Sequence, residues 1–251
     1  MQSQNSEELF SYLSEMLSNN QENVSILEES VDINVQHEYF KMSEQIKKDT
    51  PKISENENIT LNDSDDTDNL KKNLIMLANR ASVEDFREIE NFRKGAPSEV
   101  KDWTTMALQE CKFRLTGYLT ETSGIFVSTG LGGKKGALRY FIALISIEDT
   151  FTEEQGNFII DETKFIFLRH NSNVEEITVN GKFVELTALI PFNVAVSNPI
   201  NAVIESCNTL FPVLDKSFIV TNVKRLNTDE LYKVINREPI DGLPFDENEE
   251  E

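Results

Sequence analysis

Apolar residues recur at three- and four-residue intervals through the first half of the chain and at two-residue or continuous spacing through much of the second. Helices are therefore predicted first and a sheet after them. Near the start, Leu9, Phe10, Leu13, Met16 and Leu17 share one helical face, and Val31, Val35, Tyr39, Met42 and Ile46 form a second seam bounded by Pro51. From Lys52 to Asn69 apolar residues thin out while Asp63, Asp65, Asp66 and Asp68 accumulate, the composition of a disordered acidic linker. Three helical segments follow from Leu70. In the second, Ser82 is placed to cap, Val83, Phe86, Ile89 and Phe92 point inward, and Gly95 is the stop. The third has Ser98 as its expected cap and the stripe Val100, Trp103, Ala107, Leu108, Cys111, Leu115, Tyr118 and Leu119.

After Gly124 the period changes. Residues 125–129 and 137–147 read as strands flanking a glycine-rich loop, and the second run is apolar on both faces, as an interior strand requires. Thr152 with Gln155 forms the signature of a capping box and opens a helix to about Leu168. Asn180-Gly181 between two β-type runs predicts a hairpin. Ser197 or Asn198 then caps a helix with Pro199 in its first turn and Ile200, Val203, Ile204, Cys207 and Leu210 on one face. A strand over Ser217–Val223 and a helix over Thr228–Ile235 close the pattern.

From residue 137 the predicted order is strand, helix, strand, hairpin strand, helix, strand, which resembles the split βαβ order of a ferredoxin-like sandwich. The expected fold class is α+β: an N-terminal helical segment, then a ferredoxin-like antiparallel sheet with two helices and an extra N-terminal strand. The expected segments are an acidic amphipathic arm over 1–50, a linker over 51–69, a helical subdomain over 70–123, the α+β sandwich over 124–238, and an acidic disordered tail over 239–251. That architecture carries many unrelated functions and implies none here.

Charge divides the chain along the same lines. Of the formal −20, residues 1–70 hold 16 acids against 4 bases and residues 238–251 hold 7 acids and no base, so the middle is close to neutral. Wholesale coating of nucleic acid is excluded by that balance, but a local basic site is not. No apolar run approaches the roughly 18–20 residues that span a bilayer, and the opening residues do not follow a basic-then-apolar leader pattern. A cytoplasmic location without membrane contact is expected. Cys111 and Cys207 are too few for a disulfide framework and lie on apolar stripes, so they read as core residues.

The richest candidate site is the loop between the first two strands, where four of the chain's ten glycines fall within seven positions. Ser128, Gly130, Gly132, Gly133, Lys134, Lys135 and Arg139 combine flexible backbone donors with three cations, chemistry that suits an anion or a backbone partner. It is not a Walker loop: Ser128 stands where the first glycine belongs, Lys135 where Ser or Thr belongs, and a strand follows instead of a helix. Nor is it a dinucleotide fingerprint, since Lys135 replaces the last glycine. His37 and His170 have no neighbours at metal-ligand spacing, and Glu153-Glu154 and Glu175-Glu176 are adjacent rather than facing pairs.

No catalytic residue, metal or cofactor is expected. The reading is a non-catalytic binding or adaptor protein working through protein contacts, with Leu9, Phe10, Leu13, Met16 and Leu17 as anchors of a partner-docking helix. The alternative is a nucleic-acid or nucleotide-binding module using the 130–139 loop, and homo-oligomerisation stays open.

Overall fold

In a computed structural model, the described residues are 24–49, 59–62, 66–121 and 124–243. They fall into two compact units, residues 24–130 and residues 131–243. The division cuts the glycine-rich loop between Gly130 and Leu131.

The first unit is helical: α1 (Ile33–Asp49), α2 (Thr67–Arg80), α3 (Val83–Arg93) and α4 (Lys101–Thr120), with a short parallel pair β1 (Val24–Ile26) and β2 (Ile125–Val127). The 1–50 region thus contains a strand as well as a helix. Each helix start has a local cause. Asp66 accepts from the N–H groups of Asp68 and Asn69, and Ser82 and Asp85 cap one another reciprocally. Ser98 does not cap; it begins a single 3₁₀ turn, Ser98–Val100, that feeds α4 without a side-chain bond. The core gathers Leu74, Ile75, Leu77, Ile89, Met106 and Cys111, all essentially without solvent contact, and Tyr39 of α1 joins them. Along α4 the predicted stripe is buried only as far as Cys111. Tyr118 and Leu119 are 63% and 74% exposed because the helix runs on past the core.

β2 does not pair across the glycine loop as a strand–loop–strand reading implies. It lies parallel to β1, with Val24 opposite Ile125 and Ile26 opposite Val127, and the chain beyond it stays tied to the same segment. Leu27 N–H donates to the Val127 carbonyl at 2.9 Å and Val31 N–H to the Gly130 carbonyl at 3.2 Å.

The second unit is α+β with a curled antiparallel sheet. Its strands are β3 (Gly133–Lys134), β4 (Ala137–Ser146), β5 (Asn173–Asn180), β6 (Phe183–Pro191) and β7 (Leu214–Thr221), and its helices are α5 (Glu153–Arg169), α6 (Ser197–Leu210) and α7 (Thr228–Ile235). The order across the sheet is β7–β4–β6–β5, with β3 beside β4 on the β7 side. One face, carrying Ile142, Leu144, Val184, Leu186 and Ala188, packs on Ile159, Phe167, Ile200, Val203 and Cys207 of α5 and α6. The opposite face, Phe141, Ala143, Phe183 and Ile219, is covered by Leu226 and by Leu231 of α7. Both faces of β4 are therefore buried, which explains its unbroken apolar run. The Thr152–Gln155 capping box and the 180–183 hairpin are present. Helix α6 starts at Ser197 after Val196, with no side-chain cap.

Candidate functional site

The 130–139 segment contains a smaller device than its composition suggests. Lys134 pairs with Ala137, leaving Lys135 and Gly136 as a two-residue turn with φ of +50° and +76°. Positive φ at both positions is the primed turn that joins right-twisted strands. Leu131 is buried against the α7-covered face, its N–H donating to the Asn222 carbonyl at 2.9 Å. The Arg139 N–H donates to the Gly132 carbonyl at 2.9 Å.

Charge in this segment is partly committed. The Arg139 guanidinium donates through Nη1 to the Leu131 carbonyl at 2.7 Å and through Nε and Nη2 to the Glu175 carboxylate at 2.5 and 3.1 Å. Hydrogen bonding to Glu175 raises its pKa against the opposing effect of burial. Lys134 and Lys135 are exposed, while Gly130, Gly132 and Gly133 are buried. The Gly130 carbonyl accepts from Ser30 Oγ at 2.7 Å, and half-buried Ser128 lies in the same first-unit stretch. Of the predicted residues, Gly132, Gly133, Lys134, Lys135 and Arg139 are brought together in the second unit; Ser128 and Gly130 belong to the first. Leu9, Phe10, Leu13, Met16 and Leu17 lie outside the described residues.

Chemistry-bearing residues elsewhere are dispersed. Among the described residues no group of three or more His, Cys, Asp and Glu side chains could hold a metal ion, and no helix is long and apolar enough to cross a membrane. Cys111 and Cys207 are free and buried, and burial pushes both thiols up to about 12. Asp85 lies below the usual carboxylate range: burial acts upward, but the Arg80 guanidinium and the Ser82 N–H and hydroxyl outweigh it.

A groove of about 450 Å³ opens on the α7 side of the sheet, beside the last turn of that helix. Ile145 and Ile147 at the end of β4, Lys182 of the β5–β6 turn, Asp215, Ser217 and Ile219 of β7, and Val234 and Ile235 of α7 line it. Local sequence builds each wall. Ser146 Oγ accepts from the Glu148 N–H at 3.0 Å and turns the chain out of β4, leaving Ile147 60% exposed. Between the pairs Leu144–Phe218 and Ser146–Leu214, β7 spends three residues where β4 spends one. That bulge is closed by Asp215 Oδ1 accepting from the Ser217 N–H at 2.7 Å, which holds the Asp215 carboxyl below its ordinary range. Ile235, in the last turn of α7, is 39% exposed. Lys182 comes from the β5–β6 turn; it makes no ion pair within 4 Å among the described residues, but its charge lies near enough to Asp215 to add to the lowering of that carboxyl. Sequence reasoning missed this groove because four separate segments build it. The nearest signal was the apolar Val234-Ile235 pair at the end of a short amphipathic helix.

No protein-family model matches the chain, and no curated protein matches it. Among solved structures, the crystal structure of "a putative transposase from Deinococcus radiodurans R1" aligns with 41% of this chain and 91% of its own, at 13% identity and a TM-score of 0.36.

Proposed function

We propose that this protein is a non-catalytic cytoplasmic binding or adaptor protein acting through protein–protein contacts, built on a second unit of ferredoxin-like, split βαβ kind. The order β7–β4–β6–β5, with α5 and α6 as crossovers packed on one face, fits that architecture. The fold assigns no activity, so the function rests on surface chemistry. The observation that carries it is the groove. Ile147 and Ile235 hold apolar surface in water around an open concavity, and a polypeptide partner that covers them gains the free energy of their burial. Two buried, unpaired thiols suit a reducing compartment.

Anion binding at the 130–139 loop is the competing reading. It is weakened by Arg139, whose guanidinium is engaged with Glu175 and Leu131, and it rests on Lys134 and Lys135.

The test is affinity purification of the tagged full-length chain from its own cell extract, with co-purifying protein and nucleic acid quantified. Three variants are compared: Ile147→Asp with Ile235→Asp, Lys134→Ala with Lys135→Ala, and Leu9→Ala with Phe10→Ala and Leu13→Ala. The expected result is a stoichiometric protein companion that the groove variant loses. Retention of every companion by the groove variant overturns the groove as the binding surface, and nucleic acid lost only with the lysine variant establishes the competing reading.

A further inference from the structure

Lys134 and Lys135 are exposed at the β3–β4 turn, and neither makes an ion pair within 4 Å among the described residues. The segments packed beside that turn bring no acid to it. Residues 122–147 contain no Asp or Glu, residues 186–204, which include the half of β6 paired with the start of β4, contain no charge, and residues 217–223 of β7 and its continuation contain none either. Glu175 and Glu176 of β5 are held by Arg139 and Arg225. The charges of α7 lie toward the far end of the sheet. Asn180 Nδ2 donates to Thr228 Oγ1 at 3.1 Å, and β6 rises about 27 Å from Phe183, beside that hairpin, to Pro191, the partner of Ala137. Lys233 and Arg237 belong to the other end of α7, whose last turn lines the groove beside Ile145, the partner of Phe183.

The last described residues return to the lysine end of the sheet. Leu131 N–H donates to the Asn222 carbonyl at 2.9 Å, and two residues further on Lys224 Nζ donates to the Asp241 carbonyl at 2.7 Å. Leu243 then packs on the cluster that contains Leu131, Ile219 and Leu226. From Leu131 to Lys135 the backbone covers at most about 14 Å, whereas residues 244–251 can cover about 28 Å, so the turn lies within their reach. Those eight residues, outside the described ones, hold five acids and no base.

We infer that residues 244–251 are the lysine turn's own anion: Asp246, Glu247, Glu249, Glu250 and Glu251 lie against Lys134 and Lys135 and shield the turn from polyanions outside the molecule. The inference goes beyond the adaptor reading and stands without it. Attraction between the five acids and the two lysines acts within a Debye length, about 10 Å at 0.1 M salt, and a tether this short presents the acids at millimolar local concentration. Each exposed pair is weak by itself. A shield of this strength yields to salt or to a ligand with denser negative charge, so it sets a threshold for anions at the turn instead of closing it.

Zero-length carbodiimide coupling of the full-length protein, read by peptide mass mapping, tests the contact. Amide links from residues 246–251 to Lys134 or Lys135 are expected at about 20 mM salt and should fall about tenfold at about 0.5 M. In an equal mixture of ¹⁴N- and ¹⁵N-labelled protein the linked peptides should carry one isotope only. Links confined to Lys224 or Lys233, or links of mixed isotope, overturn the inference by placing the acids on α7 or on a second copy. The shield is read with a fluorescein-labelled twenty-residue oligothymidylate in fluorescence anisotropy. The full-length variant with Asp246→Asn and Gln at positions 247, 249, 250 and 251 should bind it about fivefold more tightly than the unsubstituted chain, and Lys134→Ala with Lys135→Ala should remove that gain. No gain in affinity, or the same gain without the two lysines, overturns the inference. None of the substituted side chains makes an ion pair within 4 Å among the described residues, and far-UV circular dichroism verifies that folding is intact.

Discussion

Tyr39 shows how far a single residue can be read before structure is needed. Its place on an apolar seam with Val35 and Ile46 marks it as buried, and a buried phenol requires an acceptor. The acceptor is Glu110, 71 positions away, whose Oε2 receives the hydroxyl at 2.7 Å while Oε1 holds the Arg114 guanidinium at 2.6 Å and Lys47 at 3.6 Å. Nothing local in the sequence joins these groups, because Glu110 sits beside Cys111 on a stripe chosen for its apolar members. Burial and then the neighbouring carboxylate push the Tyr39 hydroxyl well above its usual range, which favours the protonated, donating form. Removing the carboxylate strands the buried hydroxyl of Tyr39 and the Arg114 guanidinium at once and releases Lys47. Glu110→Ala is therefore expected to cost about 3–5 kcal/mol, the scale of a broken buried ion pair. Tyr39→Phe leaves the Arg114 contact in place and is expected to cost about 1–2 kcal/mol. Urea unfolding followed by circular dichroism measures both, and equal losses would mean that Glu110 acts through the Tyr39 hydroxyl alone, its pair with Arg114 inside α4 adding nothing.

Among the elements, those with local causes were legible and those defined by tertiary pairing were not. Ser82 caps at its expected position, with Asp85 as a reciprocal partner, and Thr152 caps at the spacing its pairing with Gln155 sets. The Asn180-Gly181 signal correctly marks a hairpin, yet the loop is Gly181-Lys182, closed by the Asn180–Phe183 pair, with glycine first at φ +58°. That one-residue offset puts Lys182 at the groove. The Lys135-Gly136 turn lacks an Asn-Gly signature, and its glycines suggested a ligand loop instead. A lysine at φ +50° carries steric strain that glycine or asparagine relieves. Lys135→Asn should thus raise stability by about 0.5–1 kcal/mol while deleting a cation, and Gly136→Ala should lower it by about 1 kcal/mol. Thermal unfolding measures the pair. Destabilisation by Lys135→Asn would show that the lysine side chain holds the turn.

At the scale of the whole molecule, sequence patterning separated a helical half from an α+β half, but it set the change of structure at Gly124, where the spacing period shifts. The contact boundary falls after Gly130, because β2 is bonded to β1 and the Gly130 carbonyl to Val31 and Ser30. A strand's period says nothing of which partner it will find. The two cysteines offer a way to follow the units separately, since Cys111 lies in the first and Cys207 in the second, both buried. With burial lifting each thiol to about 12, the folded state favours the protonated form. The sign is that of a raised folded-state pKa: this contribution to stability is complete below about pH 8.5, where the unfolded thiol titrates, and is lost progressively as pH rises toward the folded value. At pH 8 both thiols should resist iodoacetamide in the native protein and react only as their own unit opens. Labelling across a urea series, with each cysteine quantified by peptide mass mapping, then gives one midpoint per unit. Glu110→Ala should lower the Cys111 midpoint and leave that of Cys207 in place. A common shift of both midpoints would show that the units unfold as one cooperative body, and a groove-binding peptide would then stabilise Cys111 as strongly as Cys207.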